Sequence, residues 1–173
     1  MSRPRSSSSV PPGGAACFDA VTGLLDRLGV PWAVAGALAA MAYRAEERPT
    51  TDVDLLAEPH EGLVAALVDD GFDAHLFEDD GEPYLVRARR GDCLVDILFP
   101  VTEYQHGALA RAKDHLLTVE DVIVHKLIAW RPRDQADVAS ILSTGIAVDD
   151  GYVTQWSTAW GVEDRWAEAR RSS

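Results

Sequence analysis

Two aspartates separated by one residue are the first candidates for chemistry in this chain. They stand in Thr51-Asp52-Val53-Asp54-Leu55-Leu56, a segment that reads as a strand. Because alternate strand residues point to the same face, Asp52 and Asp54 project together while Val53 faces the core. Two like charges on one face repel each other, and a bound cation would relieve that repulsion. The alternative is a strand that simply begins here, with both acids in water at its edge.

A third aspartate interrupts an apolar run further along the chain. Asp96 lies in Cys93-Leu94-Val95-Asp96-Ile97-Leu98-Phe99, which otherwise reads as a buried strand. A buried carboxylate without a partner is costly or becomes protonated. A metal ion shared with the two earlier aspartates would supply a partner, and a salt bridge to Arg87 or Arg89 on the adjacent strand would supply another.

Three strand carboxylates together favour the metal. Mg²⁺ prefers hard oxygen ligands and takes a few carboxylates together with substrate phosphates. A pair of such ions can activate an attacking hydroxyl and neutralise a leaving pyrophosphate. We therefore expect two Mg²⁺ ions at Asp52, Asp54 and Asp96.

Phosphate groups at such a site would need donors, and the sequence offers two sets. The segment Ala35-Gly36-Ala37 lies at a predicted strand-to-helix junction, where free amides favour anions and Gly36 lacks a Cβ. Further on, Lys126 and Arg133 are candidates for contacts with phosphate oxygens. Two acids three residues apart on one helix face, Asp134 and Asp137, would hold those cations in place. From spacing alone, a solvated helix face with local ion pairs is slightly favoured.

Both helices and strands are predicted to position these residues. Apolar spacing predicts helices over residues 15–28, 37–46, 59–70, 103–112, 118–130 and 132–142. Strand patterns cover residues 31–35, 52–57, 72–77, 84–89 and 93–99, and the last three are close enough in sequence for antiparallel pairing. The result is an α+β fold with a mixed sheet of about five strands and helices packed on it.

Composition and the predicted helices and strands together define the domain boundaries. Residues 1–14 are rich in Ser, Pro and Gly and are expected to be a disordered tail. Residues 15–145 form the main domain, and residues 146–173 form a helical extension packed on it.

Composition limits the partners. The formal charge is −12, from 28 Asp and Glu against 16 Lys and Arg, which argues against broad nonspecific nucleic-acid binding. A local patch keeps a tRNA acceptor open: Arg87, Arg89, Arg90 and Arg111.

The chain also lacks signs of a membrane or an oxidising compartment. No apolar run approaches the roughly 18 residues of a membrane span, and the first residues lack the apolar core of a signal peptide. Cys17 and Cys93 have no metal-ligand spacing. We expect a cytoplasmic protein without membrane partners.

The combined pattern resembles the polymerase-β-type nucleotidyltransferase superfamily. Its marks are a glycine-led helix start, an Asp-x-Asp strand and a third strand carboxylate, here at Gly36, at Asp52 with Asp54, and at Asp96. A closer likeness is to small prokaryotic members related to abortive-infection toxins of type IV toxin–antitoxin systems. Two further motifs carry it: Arg48-Pro49-Thr50-Thr51-Asp52-Val53-Asp54, and Lys126 followed by Arg133-Asp134-Gln135-Ala136-Asp137.

This resemblance implies a nucleotidyltransferase fold and the transfer of NMP from an NTP to a hydroxyl group. Asp52 and Asp54 would hold both metal ions, and Asp96 would complete one site and assist the nucleophile. The residues implied for the triphosphate are Gly36, Ala37, Arg48, Thr51, Lys126 and Arg133. Ala37 departs from the usual second Gly or Ser and removes a hydroxyl that could touch phosphate.

The acceptor stays open among a toxin protein, a tRNA end and a small molecule. An alternative is a binding module or antitoxin on the same fold, with little or no catalysis. A metal-dependent phosphoesterase ranks low, because the five histidines are scattered without ligand spacing.

Overall fold

A computed structural model describes residues 12–46 and 50–171. Its helices are α1 (Pro12–Leu28), α2 (Gly36–Met41), α3 (Leu63–Asp69), α4 (Glu103–Arg111), α5 (Val119–Ala129), α6 (Pro132–Ser143), α7 (Asp150–Ala159) and α8 (Glu163–Arg171). Its strands are β1 (Trp32–Val34), β2 (Asp52–Ala57), β3 (Asp73–Asp79), β4 (Glu82–Arg90) and β5 (Cys93–Leu98). The predicted α+β class and five-stranded mixed sheet are confirmed.

The sheet has the order β1-β2-β5-β4-β3. Strands β3, β4 and β5 form the antiparallel meander that their short connections predicted. Among the strands of the described residues, one pair is parallel: β2 and β5, which brings distant parts of the chain side by side.

Alternation along the central strands separates two faces. Val53 and Leu55 of β2, with Val95 and Ile97 of β5, are fully buried beneath α1 and α3. The residues between them point to the opposite face, where Leu56 joins a second core built mainly from α2 and α4 to α8. That second core covers only part of the face, so the aspartates of β2 and β5 lie beside it.

Helix starts follow local sequence. Thr118 caps α5 by accepting a hydrogen bond from the Asp121 amide, and Thr102 forms a capping box with Gln105 on α4. By contrast, α2 ends at Met41, earlier than predicted, and α1 begins at Pro12, so the predicted tail boundary at residue 14 falls inside a helix. Residues 1–11 lie outside the described residues.

A disulfide joins Cys17 of α1 to Cys93 of β5, across 76 residues of sequence. Both cysteines are buried in the core beneath the sheet. The positions of the two cysteines in the sequence did not indicate this disulfide. Folding brings α1 and β5 into contact and so places the two cysteines together. Disulfides persist in oxidising compartments and are reduced in the cytosol, so the bond is at odds with the expectation of a reducing environment.

No helix in the described ranges is both long and apolar enough to span a bilayer.

Candidate active site

Asp54 and Asp96 lie directly opposite each other in the parallel pairing of β2 and β5. Asp52 is two residues earlier on β2 and therefore shares their face of the sheet. All three line one cavity of about 260 Å³, together with arginines from β4 and α6. The structure thus brings together the three acids that the sequence singled out.

Asp54 is set against the start of α2. Gly36 has φ +59°, and a β-carbon there would collide with the Asp54 carboxylate. The Ala37 amide donates a hydrogen bond to that carboxylate, and the Ala35 amide donates one to the Asp54 carbonyl at 2.9 Å. Gly36 and Ala37 were expected to receive a phosphate, and here the Ala37 amide holds the carboxylate of Asp54.

The charge of Asp54 is unfavourable where it lies. Burial raises the pKa of Asp54, and the nearby Asp96 and Asp52 raise it further, although Lys126 and the Ala37 amide oppose them. A cation between these carboxylates would remove the repulsion.

Asp96 is engaged with an arginine of the next strand. Arg87 Nε lies 2.8 Å from Asp96 Oδ1, and Arg87 Nη2 lies 2.7 Å from Asp96 Oδ2. Arg87 is the register partner of Asp96 on β4. The salt bridge that stood as the alternative to metal binding is therefore present.

These contacts decide how well the site suits Mg²⁺. Asp52 and Asp54 offer carboxylate oxygens on one face, and the pKa of Asp54 is raised first by burial and then by the neighbouring negative charge of Asp96. Within residues 12–46 and 50–171, however, no three His, Cys, Asp or Glu side chains are grouped to hold a metal ion. The two aspartates of β2 suit a divalent cation, and the third carboxylate would join them only after leaving Arg87.

A buried cluster of charges borders the aspartates. Lys126 Nζ lies 3.0 Å from Asp134 Oδ1 and 2.8 Å from Asp137 Oδ2, and all three side chains are at least nine-tenths buried. Arg44 Nη1 reaches Asp137 Oδ1 at 3.0 Å. Lys126 is therefore held rigidly at the wall of the cavity that contains Asp54.

Arg131, which the sequence analysis missed, belongs to the same cluster. Its Nε lies 2.7 Å from Asp134 Oδ2, and it lines all three cavities around Asp54. Burial alone would raise the pKa of Asp134, but hydrogen bonds from Arg131 and Lys126 lower it. The sequence signal was its place before Pro132: proline favours the first helical position, which makes Arg131 the N-cap and puts Asp134 at N3, where the carboxylate accepts a hydrogen bond from the Arg131 amide.

The other predicted phosphate contacts fall in two groups. Arg133 and Thr51 are exposed and line a cavity of about 350 Å³ with Gly36, Ala37 and Lys126. Arg48 lies outside the described residues.

An apolar cavity of about 260 Å³ adjoins the 350 Å³ cavity and shares Gly36, Asp54, Lys126 and Arg131 with it. Its further lining is mainly aromatic and aliphatic: Leu98, Tyr104, Gln105, His125, Ile128 and Trp160. Burial lowers the pKa of His125 to about 4, so the ring is neutral at physiological pH.

The arginines grouped in the sequence do not form one free basic patch. Arg87 binds Asp96, Arg90 lies over the Phe72 ring, and Arg111 binds Asp121 and stacks on Tyr152. These contacts leave Arg87, Arg90 and Arg111 less able to bind the phosphates of a tRNA.

Several solved structures resemble nearly the whole chain. The solution structure of the antibiotic-resistance factor ANT(2″)-Ia matches with a TM-score of 0.60 at 18% identity, over 90% of this chain and 94% of that one. ANT(2″)-Ia in complex with adenylyl-2″-tobramycin matches with 0.50 at 18%, over 90% and 96%. A candidate nucleotidyltransferase from H. pylori matches with 0.52 at 15%, over 90% and 80%.

No family model matches the chain, and no curated protein matches it in sequence. At these identities the structural likeness shows the fold. The chain has the nucleotidyltransferase fold.

Proposed function

We propose that this protein is a Mg²⁺-dependent nucleotidyltransferase that moves NMP from an NTP to a hydroxyl acceptor and releases pyrophosphate. The observation that carries the proposal is the register of Asp54 against Asp96, with Asp52 on the same face and a fixed cluster of cations beside them. The nucleotidyltransferase fold supports it.

The cavities suit the two ends of a nucleotide. A nucleoside triphosphate has a flat, largely apolar base at one end and a polyanion at the other. The apolar cavity, with Tyr104 and Trp160, suits the base by stacking. The adjoining cavity, with Lys126, Arg131 and Arg133, suits the phosphates. Because both cavities include Asp54, the α-phosphate would lie next to the aspartates.

In the proposed reaction, the acceptor oxygen forms a bond to the α-phosphorus as the bond to the bridging oxygen of the pyrophosphate breaks. Mg²⁺, when bound by Asp52 and Asp54, would supply charge neutralisation at the phosphates. Lys126 and Arg131 would hold the oxygens of the pyrophosphate as it leaves. Asp96, once free of Arg87, would accept the proton of the acceptor hydroxyl.

The acceptor is a small molecule or a protein rather than tRNA. The negative net charge and the dispersed arginines both disfavour a polyanionic acceptor. A neighbour of the same fold is seen with adenylyl-2″-tobramycin, which supports a small molecule with hydroxyl groups. A partner protein, as in a toxin–antitoxin pair, is the second acceptor class that we propose to test.

The test is transfer of labelled NMP. The purified full chain is incubated with Mg²⁺ and each α-labelled NTP, offered small hydroxylated molecules, candidate partner proteins and tRNA in turn. We expect label on one acceptor class, its loss with EDTA, and its loss in Asp52→Asn and Asp54→Asn. If no acceptor class is labelled with any NTP, transfer is rejected.

A binding module on the same fold is the second candidate, and one observation favours it. The bidentate Arg87 contact occupies both oxygens of Asp96, as expected of a structural ion pair. If the protein is a binding module, the double variant Asp52→Asn, Asp54→Asn keeps its biological activity. If the protein is an enzyme, the same double variant loses that activity.

A further inference from the structure

Arg87 lies at the position where a cation is needed. Its guanidinium contacts both oxygens of Asp96, the carboxylate directly opposite Asp54, and it lines the same cavity as the three aspartates. An arginine fork and a divalent metal ion satisfy the same requirement, which is positive charge on carboxylate oxygens. Only one of them can occupy both oxygens at a time.

We propose that Arg87 is a built-in competitor for the metal, which pairs with Asp96 in the metal-free protein and must leave before the third carboxylate can join a metal site. This inference rests on the proposed function, because it concerns the same carboxylates. It makes Arg87 a positioning residue that sets metal affinity, rather than a group that touches the reacting atoms.

Two observations make the exchange feasible. Arg87 is 48% exposed in its side chain, against 19% for Asp96, so the pair is open to water on the arginine side. Ion pairs screened by water stabilise proteins weakly. A divalent ion would bring twice the charge and would contact Asp52 and Asp54 as well, whereas Arg87 pairs with Asp96 alone among the described carboxylates.

The closeness of Asp54 and Asp96 explains why these carboxylates need a positive charge nearby when no metal ion is bound. Asp54 and Asp96 are adjacent in register, and the charge of Asp96 adds to the burial that raises the pKa of Asp54. Arg87 compensates one of the two charges. Removing Arg87 should therefore leave a site that binds a divalent cation more tightly.

The strand also supplies a matched control. Arg89 is two residues further along β4 and exposed on the same face, but its register partner on β5 is Leu94 rather than an acid. Arg89→Leu removes the same charge from the same face without freeing a carboxylate of the aspartate site, because the acid that Arg89 faces in register is Asp73 on β3. Comparing the two variants separates direct competition from a general change in the electric field.

The experiment measures Mn²⁺ binding to the full chain without nucleotide, by titration calorimetry and by the electron paramagnetic resonance signal of free Mn²⁺. For Arg87→Leu we expect affinity about tenfold higher than in the unmodified protein. For Arg89→Leu we expect a change of less than about threefold. Adding Asp96→Asn to Arg87→Leu should abolish most of the gain. Equal affinities in Arg87→Leu and the unmodified protein would overturn the proposal.

Arg87→Lys keeps the test decisive if Arg87→Leu does not fold. Lysine retains the charge but loses the two-pronged contact, so its Mn²⁺ affinity should fall between those of the unmodified protein and a variant without the cation. An affinity below that of the unmodified protein would overturn the proposal.

The labelled-NMP assay separates this inference from the proposed function. Tighter metal binding in Arg87→Leu without transfer to any acceptor would support the competitor and reject the transferase. Transfer by the unmodified protein, with unchanged metal affinity in Arg87→Leu, would support the transferase and reject the competitor. If neither protein binds Mn²⁺, the competitor is rejected together with metal dependence.

Discussion

The carboxylate of Asp54 fills the space that a β-carbon on Gly36 would need. Gly36 also has a positive φ of +59°, which L side chains rarely adopt. Two separate features therefore require a glycine at position 36: its backbone conformation and its contact with Asp54.

Gly36→Ala should lower the free energy of unfolding by about 3 kcal/mol, from backbone strain together with overpacking. Gly81→Ala is the matched control, because Gly81 has φ +83° with no heavy atom near its would-be β-carbon. The control should cost about 1 kcal/mol. Chemical denaturation of both variants measures the difference. Equal losses would mean that Asp54 moves aside freely.

Asp54→Asn should stabilise the metal-free protein by about 1 kcal/mol at neutral pH, because it removes a buried charge crowded by Asp96 and Asp52. Since the pKa of Asp54 is raised by folding, the native state holds this proton more tightly than the unfolded chain does. The unmodified protein therefore loses stability as pH rises from the ordinary aspartate pKa through the raised one, and the advantage of Asp54→Asn grows over that window.

Thermal unfolding from pH 4 to pH 8 checks this sign. Asp79→Asn is the control for net charge, since Asp79 is exposed on β3 and lines a cavity that does not include Asp54. An Asp54→Asn protein less stable than the unmodified one at pH 8 would show that the Ala37 and Lys126 contacts outweigh the repulsion.

Lys126→Met should be severely destabilising, by about 3 kcal/mol or more, because it leaves the buried carboxylates of Asp134 and Asp137 short of a cation. Arg133→Met removes an exposed cation and should change stability by less than about 0.5 kcal/mol. Both variants should bind NTP more weakly. Denaturation and nucleotide titration distinguish the two roles, and a fully stable Lys126→Met would contradict the structural one.

Reduction of the Cys17–Cys93 bond should lower the free energy of unfolding by about 4 kcal/mol, because it releases a loop closed over 76 residues. The comparison is between oxidised and reduced protein in denaturant, with a double Cys17→Ala, Cys93→Ala variant as the reduced reference. Mass spectrometry with thiol alkylation shows whether the bond forms. Identical unfolding curves would show that the disulfide does not contribute to the packing of α1 against β5.

The site was predictable to the extent that it depends on alternation and order along the chain. The alternation of polar and apolar residues predicted β2 with its observed bounds and placed Asp52 and Asp54 on one face of the strand. Asp96 was recognised because it interrupts an apolar run. The parallel contact between β2 and β5 is non-local, so no pattern within either strand specified it.

The rest was decided by side-chain competition that spacing does not resolve. Arg131 and Arg133 both lie near Asp134, and the extended backbone at the helix start gives the contact to Arg131. Arg87 was foreseen only as one of two alternatives to a metal. Gly36 was expected to leave room for a phosphate, and in the structure the group that fills the space of its missing side chain is the Asp54 carboxylate.

The pairing of β2 with β5 has a consequence for how such a site can diversify. Main-chain hydrogen bonds fix the backbone positions of Asp54 and Asp96, so side-chain changes around them leave the two acids opposite each other in register. Neighbouring positions on β4 can then be exchanged to retune ion preference while the framework persists. A single-residue insertion in either strand, in contrast, would turn one acid toward the apolar layer and destroy the arrangement at once.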